Sequence, residues 1–242
     1  EIVGDRHHTR RLVMTCEHAS NAIPPEIEVN TRDRDWLQTH WAWDLGAAAL
    51  TRQIVTQKAC VAILSKVSRL VCDANRTIDA ASFILRDVEG YRLSFNEGVS
   101  HDETQRRIET YYKPYHTLVD DCLAERVSRG GDVVLLSIHS FTPFYNGQHR
   151  PMELGVLFDS YEPVARRFAG HLTDEGFKVA LNKPYSGRDG LIYSVYRHGT
   201  EHGVVYLELE VRQDLLATPR QIEVVAERVC RALTNLQIRG LG

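Results

Sequence analysis

Two histidines stand directly behind apolar, strand-like runs. His18 follows Arg11–Cys16 and Glu17, and His139 follows Asp132–Ile138. Two imidazoles and one carboxylate make a common catalytic zinc set, with the last position left to water. A third strand-like run, Gly203–Val211, carries Glu208 and Glu210. A fourth candidate, Ser68–Cys72, ends at Asp73, Asn75 and Arg76. In an open α/β sheet, sites gather at the carboxyl ends of the strands. If these four strands are parallel, one edge collects His, carboxylate, Asn and Arg, the parts of a metal-dependent hydrolase. Zinc (Zn2+, one per chain) is the expected ion, although other divalent transition metals suit the same donors.

The residues alone leave the third metal ligand open. Glu17 adjoins His18, and neighbours on a strand face opposite ways, which would turn Glu17 aside. Asn21 lies three residues on, but a neutral amide is a poor zinc ligand. Asp44 lies between Trp43 and Leu45 in an apolar stretch, where a carboxylate is costly unless paired or metal-bound. His40, one helical turn earlier, is a competing ligand or a partner to Asp44.

The remaining polar residues divide by chemistry. Glu208 or Glu210 would act as the base that takes a proton from water. The alternation Leu207-Glu208-Leu209-Glu210-Val211 is also what a half-exposed edge strand shows. Arg76 suits bidentate recognition of a carboxylate. Tyr185 and Arg188, in the loop Pro184–Gly190, offer a hydroxyl for the oxyanion or substrate and a second guanidinium. Surface ion pairing is the bland reading of each arginine. His198 and His202 share metal-like spacing, but Gly199 and Gly203 argue against a regular helix there, so both read as loop or cap residues.

The elements that must hold these residues alternate. Asp35–Gln57 has helical spacing and contains His40 and Asp44; Val61–Leu64 is a short strand. Ser82–Ser100 is polar and turn-rich and reads as a surface excursion. Asp102–Arg129 reads as a long helix kinked at Pro114. Strands over Glu153–Phe158 and Lys178–Asn182 flank a helix over Glu162–Gly176, and Pro219–Gln237 is the closing helix. The pattern predicts an α/β fold: a single domain over residues 1–242, with a mainly parallel or mixed central sheet and helices on both faces.

Composition narrows the function classes. The chain has 242 residues, 29 Lys plus Arg against 32 Asp plus Glu, and 43% hydrophobic residues. That apolar fraction and a net charge of −3 describe a folded chain, not a disordered one. The balance lacks the basic surplus of a nucleic-acid binder. No apolar run approaches the roughly 20 residues of a membrane span. The expected partner is a small-molecule substrate, with no nucleic acid and no membrane. Residues 1–11 are charged and carry no signal-peptide core. Five scattered cysteines without a Cys-x-x-Cys pair fit reduced thiols. Both features predict a cytoplasmic protein. The sequence does not fix the oligomeric state.

Several segments carry a family resemblance. Cys16-Glu17-His18-Ala-Ser-Asn21-Ala-Ile-Pro24 and His40-Trp-Ala-Trp-Asp44-Leu-Gly-Ala resemble the N-formylglutamate amidohydrolase family. So do Ser68-Arg69-Leu70 through Asp73-Ala-Asn75-Arg76, and Ser137-Ile-His139-Ser140-Phe-Thr-Pro143. Asn182 to Gly190 and Glu210-Val-Arg212-Gln-Asp214 are similar as well, so the likeness spans roughly residues 11 to 216. It implies a zinc-dependent exopeptidase-like α/β fold and hydrolysis of an N-acyl amino acid, N-formyl-L-glutamate being the name-bearer. Within that wider superfamily, Ser137-Ile-His139-Ser140 resembles the zinc-binding strand end of zinc carboxypeptidases. Glu210-Val-Arg212 resembles the strand of their catalytic Glu, which favours Glu210 over Glu208, and Asn75-Arg76 resembles their carboxylate-binding pair. Their His-x-x-Glu metal motif is absent, because Asn21 stands where the Glu would be. In related cell-wall amidases the carboxylate ligand comes from the first helix, which points to Asp44. The implied set is therefore His18, Asp44 and His139 for the metal, Glu210 as base, and Asn75, Arg76, Tyr185 and Arg188 for substrate.

Three rival readings use the same residues. A zinc peptidase or cell-wall amidase would need a wider groove. A binding protein that kept the fold and lost the metal draws support from the missing His-x-x-Glu. A serine or cysteine hydrolase using Ser140 or Cys16 lacks a Gly-x-Ser-x-Gly elbow.

Overall fold

Apolar and β-branched runs form a seven-stranded sheet in the computed structural model, which describes residues 1–7 and 11–236. The strands are β1 (Ile2–Gly4), β2 (Leu12–Cys16), β3 (Val61–Leu64), β4 (Val134–Phe141), β5 (Leu154–Leu157), β6 (Val179–Leu181) and β7 (Val205–Arg212). Their order across the sheet is β1-β3-β2-β4-β7-β5-β6. Strands β3, β2, β4 and β7 run parallel, while β1 and the β5–β6 pair run against them. The sheet is thus mixed, and three strand ends expected to converge, those of β2, β4 and β7, share one edge.

Helices cover both faces. The helices are α1 (Thr31–Trp36), α2 (Ala47–Lys58), α3 (His101–Arg107), α4 (Lys113–Ser128), α5 (Glu162–Asp174), α6 (Tyr193–His202) and α7 (Pro219–Asn235). Leu50 and Ile54 of α2, Phe168 of α5 and Val229 of α7 pack with Met14, Leu136, Ile138, Leu207 and Leu209 on one face. Tyr115, Val119 and Leu123 of α4 and Val195 of α6 pack with Val13, Ile63, Leu135 and Tyr206 on the other. Strand period two explains the alternation in β7: its leucines serve the first face, and Glu208 and Glu210 point to the second. All eight β7 residues are buried, so β7 is a central strand rather than a half-exposed edge.

Several local expectations are corrected. Asp35–Gln57 is not one helix. Helix α1 ends at Trp36, α2 begins at Ala47, and His40 and Asp44 lie in the turns between. Gly46 caps α2 with φ of 82°, a left-handed conformation that breaks the helical path and favours glycine. A Cβ there would also lie 2.4 Å from Leu216 Cβ. Ser68–Cys72 is a turn, not a strand. Its Ser68 hydroxyl donates to the Ala42 carbonyl at 2.8 Å, tying it to the Asp44 segment instead of a ladder.

Ser82–Ser100 is not a surface excursion either. Phe83, Val88, Leu93 and Phe95 are buried against Leu70, Val71, Ile108 and Tyr112 in a third apolar cluster. The long helix expected over Asp102–Arg129 is interrupted as Pro114 requires, by a π-helical turn over Ile108–Tyr112 just before α4. His198 and His202 sit on α6, not in a loop: Gly199 allows close packing, since a Cβ there would meet the Tyr206 ring at 2.1 Å. Gln237, the last residue of the expected closing helix, lies outside the described residues. No helix among the described residues is long and apolar enough to cross a membrane.

Candidate active site

The β2, β4 and β7 ends and the turn before α2 enclose a cavity of about 250 Å3. His18, Asp44 and His139 meet on its floor, with donor atoms within 4.8 Å of one another. Register explains the meeting. His139 pairs with Glu210 across β4 and β7, and the Asp44 amide donates to the His18 carbonyl at 2.9 Å. Asp44 Oδ2 then accepts from His139 Nδ1 at 2.8 Å and from the Ser140 amide at 3.1 Å, and Oδ1 lies 3.4 Å from His18 Nδ1.

Each imidazole is oriented from behind by a carboxylate. His18 Nε2 donates to Asp73 Oδ1 at 2.7 Å. Nδ1 of His18 is then the lone-pair nitrogen, and Arg69 Nη1 donates to it at 3.2 Å. His139 Nε2 lies 3.0 Å from Glu17 Oε2, and Glu17 also accepts from Tyr115 and Ser137 hydroxyls. Glu17 therefore does not turn away from the site. Strand β2 stops at Cys16, and Glu17 shares the face of Val13 and Thr15, which is also the face of Ser137 and His139. Strand parity could have found this contact. Asn21 donates to the Leu37 carbonyl at 2.9 Å instead of joining the cluster.

Charge is concentrated here. Five carboxylates, Glu17, Asp44, Asp73, Glu208 and Glu210, are each at most 4% exposed. Burial would raise Asp44 and Asp73, but His18 and His139 hold Asp44 low, and Arg69 and His18 hold Asp73 low. Burial would lower His139, yet Glu208, Asp44 and Glu17 outweigh it and hold the imidazole well above its usual range. Burial pushes Glu208 up to about 7, with the Glu17 charge adding to it. Glu210 is raised well above the carboxylate range by burial and by Glu208 and Asp44, and its Oε2 is buried without a hydrogen-bond partner. A surplus of buried carboxylate oxygens, and two imidazoles whose Nδ1 atoms converge while Nε2 is carboxylate-bound, are donors that could hold a divalent metal. His18, Asp44 and His139 could hold the ion; His139, Glu208 and Glu210 form a second possible trio.

The segments that match are continuous with this geometry. Residues 10–217 match the family of N-formylglutamate amidohydrolase. The chain belongs to the N-formylglutamate amidohydrolase family. It is, at the level that membership carries, an amidohydrolase.

Solved structures agree in fold. A gene product from Agrobacterium tumefaciens is 29% identical, with a TM-score of 0.87 over 96% of this chain and 94% of that one. The N-formylglutamate amidohydrolase from Ralstonia eutropha is 18% identical, with a TM-score of 0.75 over 98% of this chain and 97% of that one. No curated protein matches the chain.

The other candidate residues separate once placed in this family fold. Arg76 lines the cavity, and its Nη1 donates to the Asn75 carbonyl at 2.7 Å. Asn75 is committed internally: Nδ2 donates to Glu208 at 3.3 Å, and Oδ1 accepts from the Ser194 amide at 2.9 Å. Tyr185 lines the cavity because the chain doubles back after β6, where Asn182 has φ of 49° and its Oδ1 accepts from Phe158 and Gly187 amides. Arg188 is not brought to the cavity. Its guanidinium pairs with Glu162 at 2.5 Å and stacks 5.2 Å from the Phe158 ring centroid. His40 lines the rim without a place in the metal cluster. His198 and His202 both reach Asp120 and do not line the cavity, and His198 passes the chain on to His116 at 2.7 Å.

Proposed function

We propose that this protein hydrolyses the amide bond of a small N-acyl amino acid, with N-formyl-L-glutamate as the first substrate to test. The observation that carries the reading is the pair of carboxylate-backed imidazoles facing Asp44, with the unpartnered Glu210 Oε2 in the same cavity. A divalent metal at His18, Asp44 and His139, zinc by the chemistry of the donors, would supply the Lewis acidity that makes water nucleophilic near pH 7 and polarises the amide carbonyl.

The chain's own residues divide the remaining work. Glu210 takes the proton of the attacking water at Oε2 and returns it to the leaving nitrogen. Arg76 keeps guanidinium N–H groups for the substrate's main-chain carboxylate, because among the described residues its hydrogen bond is made by Nη1. Asn75 keeps Glu208 and the α6 start in place beside it. Tyr185 lines the cavity, with its hydroxyl 3.5 Å from Arg150 Nη2, and there it orients the substrate. A cavity of about 250 Å3 rimmed by Trp41, Phe141, Tyr145 and Tyr185 favours a small substrate over a peptide or glycan strand.

The test is metal content together with hydrolysis of N-formyl-L-glutamate, for wild type and His139→Ala. About one zinc per chain, lost with activity in the variant, is the expected result. No metal bound and no turnover after zinc addition would sink the reading.

A further inference from the structure

Four arginines surround the cavity or its loops, and their partners differ. Arg69 is paired with Asp73 at 2.7 Å, and Arg188 with Glu162 at 2.5 Å. Arg76 and Arg150 form no ion pair among the described residues. Arg150 follows the hairpin of Phe144–Tyr145 and Gln148–His149 at the end of β4. Its guanidinium carbon lies 4.7 Å from the Tyr145 ring centroid, 5.3 Å from Tyr185 and 5.6 Å from Phe141. All three rings line the cavity. Nη1 donates to the carbonyl and hydroxyl of Thr142, another lining residue, at 3.3 Å each. Nη2 reaches the Tyr185 hydroxyl at 3.5 Å, the outer limit of a hydrogen bond.

This arrangement holds a cation flat without neutralising it. Stacking on rings steadies a guanidinium but leaves its full charge and its in-plane N–H groups. The neutral oxygens it meets are weaker partners than a carboxylate, which would bind two parallel N–H groups. Tyr145 and Tyr185 are 47% and 38% exposed, so the cage is open to solvent beside the cavity that these rings line.

We propose that Arg150 is a specificity-determining residue: it binds a second, side-chain carboxylate of the substrate while Arg76 takes the main-chain one. The proposal rests on the hydrolytic reading of this cavity and narrows it to N-acyl dicarboxylic amino acids. It also moves the second-carboxylate role from Arg188, whose guanidinium is turned to Glu162 and is not part of the cavity lining.

Binding and turnover test it together. Calorimetry with L-glutamate and L-glutamine is run on wild type, Arg150→Gln and Arg150→Lys. Hydrolysis of N-formyl-L-glutamate and N-formyl-L-glutamine is followed in parallel. Wild type should prefer the dicarboxylate by about 10–100-fold, the usual size for one charged contact. Arg150→Gln should bring the preference to within about threefold, through KM rather than kcat, with the glutamine compounds little changed. Arg150→Lys should keep part of the preference, because it keeps the charge without the fork. Selectivity that survives Arg150→Gln, or equal loss of both ligands, would overturn the proposal. So would a wild type that does not prefer glutamate. A wild type that selects glutamate in binding but cleaves neither formyl compound would overturn the hydrolytic reading and leave Arg150 as the selector.

Discussion

Asp73 Oδ1 lies 2.7 Å from Nε2 of His18, and that contact decides which imidazole nitrogen faces Asp44. The same carboxylate accepts Arg69 Nη2 at 2.7 Å and the Asn75 amide at 2.8 Å, so it is held from three sides. Partners of this kind fix ring orientation and ligand basicity. Asp73→Asn should therefore weaken metal binding about 10–100-fold in chelator competition while the fold persists. Unchanged affinity would show that His18 is oriented by its backbone alone. Asp73→Ala is the harsher change, because it strands the Arg69 cation; a cost of about 3–5 kcal/mol is expected in denaturant unfolding.

Glu210 and Glu208 occupy the same face of β7, and their surroundings separate them. Glu208 Oε2 is engaged by Asn75 and lies 3.4 Å from His139, whereas Glu210 Oε2 has no partner. Glu210→Gln should lower kcat on N-formyl-L-glutamate by about 10²–10⁴-fold with metal content retained. Glu208→Gln should cost less in kcat. Loss of metal from Glu210→Gln would move Glu210 into the ligand set and remove it as base.

Gly155 lies opposite Glu210 in the β5–β7 ladder. A Cβ there would come within 2.0 Å of the Lys183 carbonyl oxygen and 3.3 Å of Glu210 Cβ. Gly155→Ala must push back the segment that delivers Tyr185. We expect a loss of about 1–3 kcal/mol in stability, the usual cost of overpacking. The KM should rise as Tyr185 moves. Wild-type kinetics in this variant would mean that the Lys183–Tyr185 return yields without affecting the site.

Acid should destabilise the fold through the second histidine group. Burial and the neighbouring His198 bring His116 down to about 3, and its Nε2 has no hydrogen-bond partner. The unfolded chain takes up a proton near pH 6.5 and the folded chain does not, so stability falls as pH drops from about 6.5 toward 3. Asp120 is held at about 2 despite burial, by His198 and His202, and its contribution is lost below about pH 4. Urea midpoints measured from pH 7 to 4 should fall for wild type and fall less steeply for His116→Gln. Equal slopes would mean that His116 is not the group taking up the proton.

Strand ends were the most legible part of the site. His18, His139 and Glu210 follow or lie within apolar runs long enough to read as strands, and parallel pairing brought their ends together. The family likeness supplied Asp44, which residue patterning placed on a helix. The break before α2 was hidden because it depends on the positive φ of Gly46 and its contact with Leu216, which lies far along the chain. Alternation misplaces Glu17 when it is applied against His18, which lies past the end of β2, and not against His139, whose face Glu17 shares. Arg188 reads as a ligand-binding group because Glu162, the carboxylate that holds it away from the cavity, lies on a different element. The sequence shows which charges exist, but only the fold shows which are already matched.

Glu17 and His139 touch across a sequence separation of 122 residues, and β4 must pair with β2 on one side and β7 on the other. Contacts this remote make a chain slow to fold, since long loops must close before the pairings that reward closure. No short fragment contains both imidazoles together with Glu210. High-affinity metal capture should therefore appear only as the central strands dock, late in refolding. A chelating dye released on that timescale would report the moment at which the three strands first stand side by side.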